Sequence, residues 1–112
     1  MELYNRRWLH WGEALENYTM KIQLSDKVLI SNDVLCQEVG GEMVLLDLKS
    51  EAYFGLDTTG TRIWQLLSES ENIQSTFDRM LAEYDVSEEQ LLGEFIELLV
   101  QLANEGLITI NP

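Results

Sequence analysis

Residues 34–56 read VLCQEVGGEMVLLDLKSEAYFGL. The runs Val34-Leu-Cys-Gln-Glu-Val39 and Glu42-Met-Val-Leu-Leu-Asp-Leu48 flank Gly40-Gly41. A two-glycine loop between β-prone runs predicts a hairpin, because primed turns need positive φ at both central residues. Lys49-Ser50 predicts a second tight turn into Ala52-Tyr-Phe-Gly-Leu56. The outcome is a three-stranded antiparallel meander. Strand order in a meander is sequential, so Ala52–Leu56 is expected at a sheet edge. Side chains alternate along a strand, which sends Tyr53 and Phe54 to opposite faces. Gly55 either eases the turn into the next helix or lets another backbone come close. Upstream, Val28-Leu29-Ile30 has the make-up of a further short strand.

Three helices are expected after the meander. The first runs from about Thr58 to Leu67, capped by Asp57 or Thr58, with Ile63, Trp64, Leu66 and Leu67 on its apolar face. The second runs from about Ile73 to Tyr84 behind an Asn72 cap, with Phe77, Met80 and Leu81 in its stripe. The third opens on Ser87-Glu-Glu-Gln90, which has capping-box spacing, and ends at Asn104-Glu-Gly106, with glycine at the C′ position. Its apolar residues, Leu91 through Ala103, sweep an arc of roughly 200°, against about 100° for a one-sided surface helix. Either the whole arc is buried, or one flank, Leu91/Leu98 or Ile96/Val100, faces something outside the core. Leu107-Ile-Thr-Ile110 can add a final strand.

The chain has 112 residues, 46% of them hydrophobic, which suits one globular domain with a modest core. No apolar run approaches the ~18–20 residues of a membrane span, and the first residues lack the apolar segment of a secretory signal. A cytoplasmic protein is the expectation. Net charge is −13. Residues 1–24 are balanced, with Arg6, Arg7 and Lys21 against Glu2, Glu13 and Glu16, so the acidic excess belongs wholly to residues 25–112. Such a surface repels nucleic-acid phosphates and attracts basic partners.

Residues 1–20 read as an N-terminal extension to a domain spanning 21–112. In the extension Tyr4, Trp8, Trp11, Leu15 and Tyr18 recur at helical spacing, which predicts an amphipathic helix despite Gly12. A loose tail ahead of Met20 is the other reading.

Catalytic and metal chemistry find little to stand on. No nucleophile elbow, P-loop or dinucleotide fingerprint is present, and one cysteine, Cys36, with one histidine, His10, does not make a zinc site. Cys36 reads as a small buried hydrophobe. Glu69/Glu71 and Glu88/Glu89 read as features of solubility and helix dipoles. No catalytic residue, metal or cofactor is expected. An aromatic edge strand beside an over-wide apolar helix suits strand addition of a peptide.

Val44-Leu-Leu-Asp-Leu48, Tyr53-Phe-Gly-Leu-Asp57, Thr59-Gly-Thr-Arg-Ile-Trp64 and Leu81-Ala-Glu-Tyr-Asp-Val86, in this order, resemble the PqqD-like proteins, and most nearly the stand-alone members of lasso-peptide biosynthesis. The resemblance covers about residues 22–110. It implies an α+β, winged helix-turn-helix-like fold, a three-stranded antiparallel sheet followed by three helices. It further implies a RiPP (ribosomally made, modified peptide) recognition element: a non-catalytic adaptor that binds the leader segment of a precursor peptide and hands it to a leader peptidase or another peptide-modifying enzyme, radical-SAM enzymes among them. Carried onto this chain, the leader pairs with Glu51, Ala52, Tyr53, Phe54, Gly55 and Leu56. It then lies against Leu92, Phe95, Ile96, Leu99 and Val100 of the third helix. The fold class also admits a winged-helix DNA-binding regulator. Against it, residues 87–105 hold five glutamates and no Lys or Arg.

Overall fold

The computed structural model describes Arg7–Leu9 and residues 22–111. Its elements, in chain order, are β1 (Arg7–Leu9), β2 (Lys27–Ile30), β3 (Val34–Val39), β4 (Glu42–Asp47), β5 (Ala52–Leu56), α1 (Thr58–Ser70), α2 (Ile73–Glu83), α3 (Glu88–Asn104) and β6 (Ile108–Asn111). The meander is present as β3-β4-β5, antiparallel throughout, with Val34 opposite Asp47 and Met43 opposite Leu56. Gly40 and Gly41 take φ of 61° and 85°, the left-handed pair that a two-residue hairpin turn demands.

Side chains end each helix as their chemistry dictates. Asp57 accepts from the Gly60 N–H, Asn72 from Ser75 and Ser87 from Gln90. Beyond α3, Gly106 at φ 78° lets its N–H reach the Ala103 carbonyl and the Leu107 N–H reach Leu102, the paired bonds of a Schellman stop.

Inner-facing Leu45, Phe54 and Leu56 of the sheet meet Ile63, Trp64 and Leu67 of α1, and Phe77 of α2 tilts against Phe95 of α3 with ring centroids 5.5 Å apart. Both short apolar runs outside the meander become strands. They pair with each other, β2 antiparallel to β6, in a second sheet. The Val28 N–H donates to the Glu71 carbonyl, which ties that sheet to the α1–α2 junction.

Three expectations are corrected. Where an amphipathic helix is expected over Tyr4–Tyr18, the described part, Arg7–Leu9, is a strand; the remainder lies outside the described residues. Helical spacing weighs only local periodicity, whereas a sheet edge supplies hydrogen bonds from roughly fifty residues away in sequence. For the same reason β5 is not an edge in this structure: β1 pairs with it in parallel. Cys36 is exposed although Leu45, its partner across the ladder, is fully buried. Helix α1 packs on β4 and β5, and β3, the outermost strand, projects past that cover.

Candidate functional site

The site is built around β5. Pairing with β4 fixes Tyr53 opposite Leu46 and Gly55 opposite Val44 on the outer face, with Phe54 opposite Leu45 on the inner one. Phe54 and Leu56 are core residues, so anything meeting them from outside reaches only their backbone. Ala52 and Tyr53 are half-buried and Gly55 is buried. Tyr53, Leu46, Leu48 and Glu51 line a shallow outer depression of about 380 Å³.

Glu51 departs from the strand expected for it. It takes φ 60° in the turn before β5. Asp47 imposes that turn: its carboxylate accepts from the Lys49 N–H at 3.1 Å and the Ser50 hydroxyl at 2.9 Å, and its carbonyl from the Glu51 N–H at 2.7 Å. An Asp closing a four-residue loop onto its own backbone is an Asx-type turn, and Asp47-Leu-Lys-Ser50 carries that signal in sequence.

The far end of β5 is pinned by Thr61, 3% exposed at the start of α1. Its hydroxyl accepts from the Met43 N–H at 2.8 Å and donates to the Leu56 carbonyl at 3.3 Å. Met43 and Leu56 face each other across the ladder, so the hydroxyl bridges the two strands where they diverge. Only a threonine in the first turn of a helix signalled this. Asp47 and Thr61 thus hold the two ends of the strand on which the site rests.

The remaining expected site residues lie on helix α3. Leu91 and Leu98 are each 2% exposed, so that flank belongs to the core. Phe95 and Leu99 are fully buried as well. Val100 is buried yet stands outside the contiguous core cluster, and Leu92 and Ile96 are half-buried. The flank that keeps apolar surface is therefore Leu92/Ile96.

Arg62 of α1 grips Glu83 at the end of α2 with two parallel bonds, 2.9 and 2.8 Å, and Arg79 stands 3.5 Å from the same carboxylate. The Arg62 hydrogen bonds hold the Glu83 carboxyl below the usual carboxylate range. Among the described residues, no group of His, Cys, Asp and Glu is arranged to hold a metal, and no helix is long and apolar enough to cross a membrane.

In this structure β5 lies between β4 and β1, with Tyr53 half-buried on its outer face. The family described as coenzyme PQQ synthesis protein D (PqqD) matches residues 42–108, from β4 to the start of β6, and the chain belongs to this family. Among solved structures, that of TbiB1 in complex with the TbiA(beta) leader peptide is 38% identical, covering 70% of this chain and 92% of that one, with a TM-score of 0.67. Lasso peptide synthetase B1 complexed with the leader peptide shares the fold at TM-score 0.67 and 22% identity, over 74% of this chain and 98% of that one. No curated protein matches the chain.

Proposed function

We propose that this protein is a non-catalytic adaptor of lasso-peptide biosynthesis. It binds the leader segment of a ribosomal precursor peptide by strand addition at β5 and presents it to a leader peptidase. The observation that carries the reading is the 38% identity, over 92% of its length, to a protein solved with a leader peptide bound. Consistent with it, β5 carries the expected docking backbone at Ala52–Leu56, paired with β1 over Phe54–Leu56 in this structure, Tyr53 offers an outward aromatic, and Leu92 and Ile96 keep apolar surface on α3. In this reading Phe54, Leu56, Phe95 and Leu99 support the groove from within, and Glu51 and Val100 flank it.

A radical-SAM peptide-modifying enzyme is the other recipient the family admits, and the gene neighbourhood distinguishes it from a peptidase. A winged-helix DNA-binding regulator is the reading of another class that this fold class admits. The recognition helix of a DNA-binding version would be α3, whose residues 87–105 carry five glutamates without a single Lys or Arg. That composition opposes phosphate binding.

The test is fluorescence polarisation with the synthetic leader peptide encoded by the precursor gene beside this one. Saturable binding at micromolar or lower concentration is expected. Absence of binding at high micromolar protein would remove the adaptor reading.

A further inference from the structure

Strand β5 has two sides. Strand β4 holds one along its length, from Met43↔Leu56 to Asp47↔Ala52. On the other side lies β1, with Arg7↔Phe54, Trp8↔Gly55 and Leu9↔Leu56 in register. A peptide added to this sheet at β5 needs the same backbone groups of Phe54, Gly55 and Leu56. The two strands therefore exclude one another.

We infer that β1 is a built-in competitor: the chain's own N-terminal strand covers the docking edge in the free protein, and a leader peptide binds only those molecules from which β1 has withdrawn. This rests on the reading of β5 as the docking edge. The pairing suits a removable cover. It spans three residues, and parallel bonds are slanted and slightly weaker per residue than antiparallel ones. Strand β5 itself has five residues, so a peptide that used all of them would replace a three-residue partner with a longer one. The cover also shields backbone that would otherwise pair with any free strand.

Competition of this kind has a kinetic signature. The apparent Kd is the intrinsic Kd divided by the uncovered fraction. Once the peptide is bound, β1 is already displaced, so removing β1 speeds association and leaves dissociation unchanged.

Successive N–H groups of a strand point to opposite sides in the sheet plane, so either residue 8 or residue 9 turns its N–H toward β5. Proline removes that N–H and is poorly tolerated inside a ladder. The experiment compares full-length wild type, Trp8→Pro and Leu9→Pro. Amide hydrogen exchange of Phe54–Leu56 is measured without peptide, and stopped-flow association with the same fluorescein-labelled leader. The expected result is faster exchange at β5 in at least one proline variant. That variant should associate about tenfold faster, as for an uncovered fraction of about a tenth, and dissociate at the wild-type rate. Unchanged association in a variant whose β5 exchange has accelerated overturns the competitor. Unchanged exchange in both variants overturns it too, because β1 then guards nothing. If exchange accelerates and neither wild type nor variant binds the leader, the docking edge itself is wrong, and the competitor falls with it.

Discussion

Replacing Thr61 by valine tests how β5 is held. The two side chains have nearly the same shape, so no cavity forms, and burial alone favours valine at a position 3% exposed. The hydroxyl decides the sign instead. Valine deletes the 2.8 Å bond from the Met43 N–H and the 3.3 Å bond to the Leu56 carbonyl. The first loss leaves a buried donor without its partner, at about 1–3 kcal/mol. The second bond is long and faces an acceptor with a second lone pair, so it adds little. Any gain from the extra methyl is smaller, giving a net loss of about 2 kcal/mol. For a domain of this size that is a fall in Tm of roughly 8–10 °C. Urea unfolding followed by circular dichroism would give the free energy, with Thr61→Ser as the control that keeps the hydroxyl and sheds only a methyl. The order expected is wild type, then serine, then valine. A valine variant at least as stable as wild type would refute the bridge and show that β4 and β5 close directly onto each other.

The same geometry predicts three further outcomes. Gly55→Val suits the backbone of β5, since Gly55, unlike Gly40, Gly41 and Gly106, does not use positive φ, and circular dichroism checks that the variant folds. It weakens leader binding about tenfold or more by crowding the added strand, and wild-type affinity in the folded variant would place the peptide elsewhere. Gly93→Ala stabilises the protein by about 0.4–1 kcal/mol, because this exposed position in α3 has nothing within 4 Å of a new Cβ; a lower urea midpoint would contradict it. The Arg62–Glu83 pair contributes fully above the ordinary glutamate pKa of about 4.3 and is lost as pH falls through the depressed folded value. The difference in Tm between wild type and Glu83→Gln therefore shrinks at acid pH, and parallel curves would show that the pair plays no part in acid unfolding.

The parts of the fold legible in sequence are those decided within a few residues. Gly40-Gly41 fixes the hairpin, and Asp57, Asn72 and Ser87 fix the helix starts, because turns and caps are closed by neighbours. What escaped reading is decided by distant partners. Val28–Ile30 and Ile108–Ile110 each look like a weak strand, and nothing local says that each completes the other. The pattern at Tyr4–Tyr18 favours a helix, and only the unfilled side of β5 explains a strand at Arg7–Leu9. Strand alternation places Cys36 on the inner face correctly; its exposure depends on how far the helices reach over the sheet. On α3, periodicity measures the width of the apolar arc, but only packing tells that Leu91 and Leu98 turn inward while Leu92 and Ile96 stay at the surface. Thr61 and Asp47 were legible as residue types suited to helix starts and turns, and their partners were not.

The pairing of β2 with β6 sets Lys27 beside Asn111, so the two ends of the segment 27–111 lie on adjacent strands, about 5 Å apart. That sheet is separate from the one carrying β5. A segment whose two ends lie side by side can be spliced into a surface loop of a larger protein with little disturbance to either, and cut at these strands it would travel without β1. On the adaptor reading such a graft would carry its peptide preference into a host with β5 uncovered from the start.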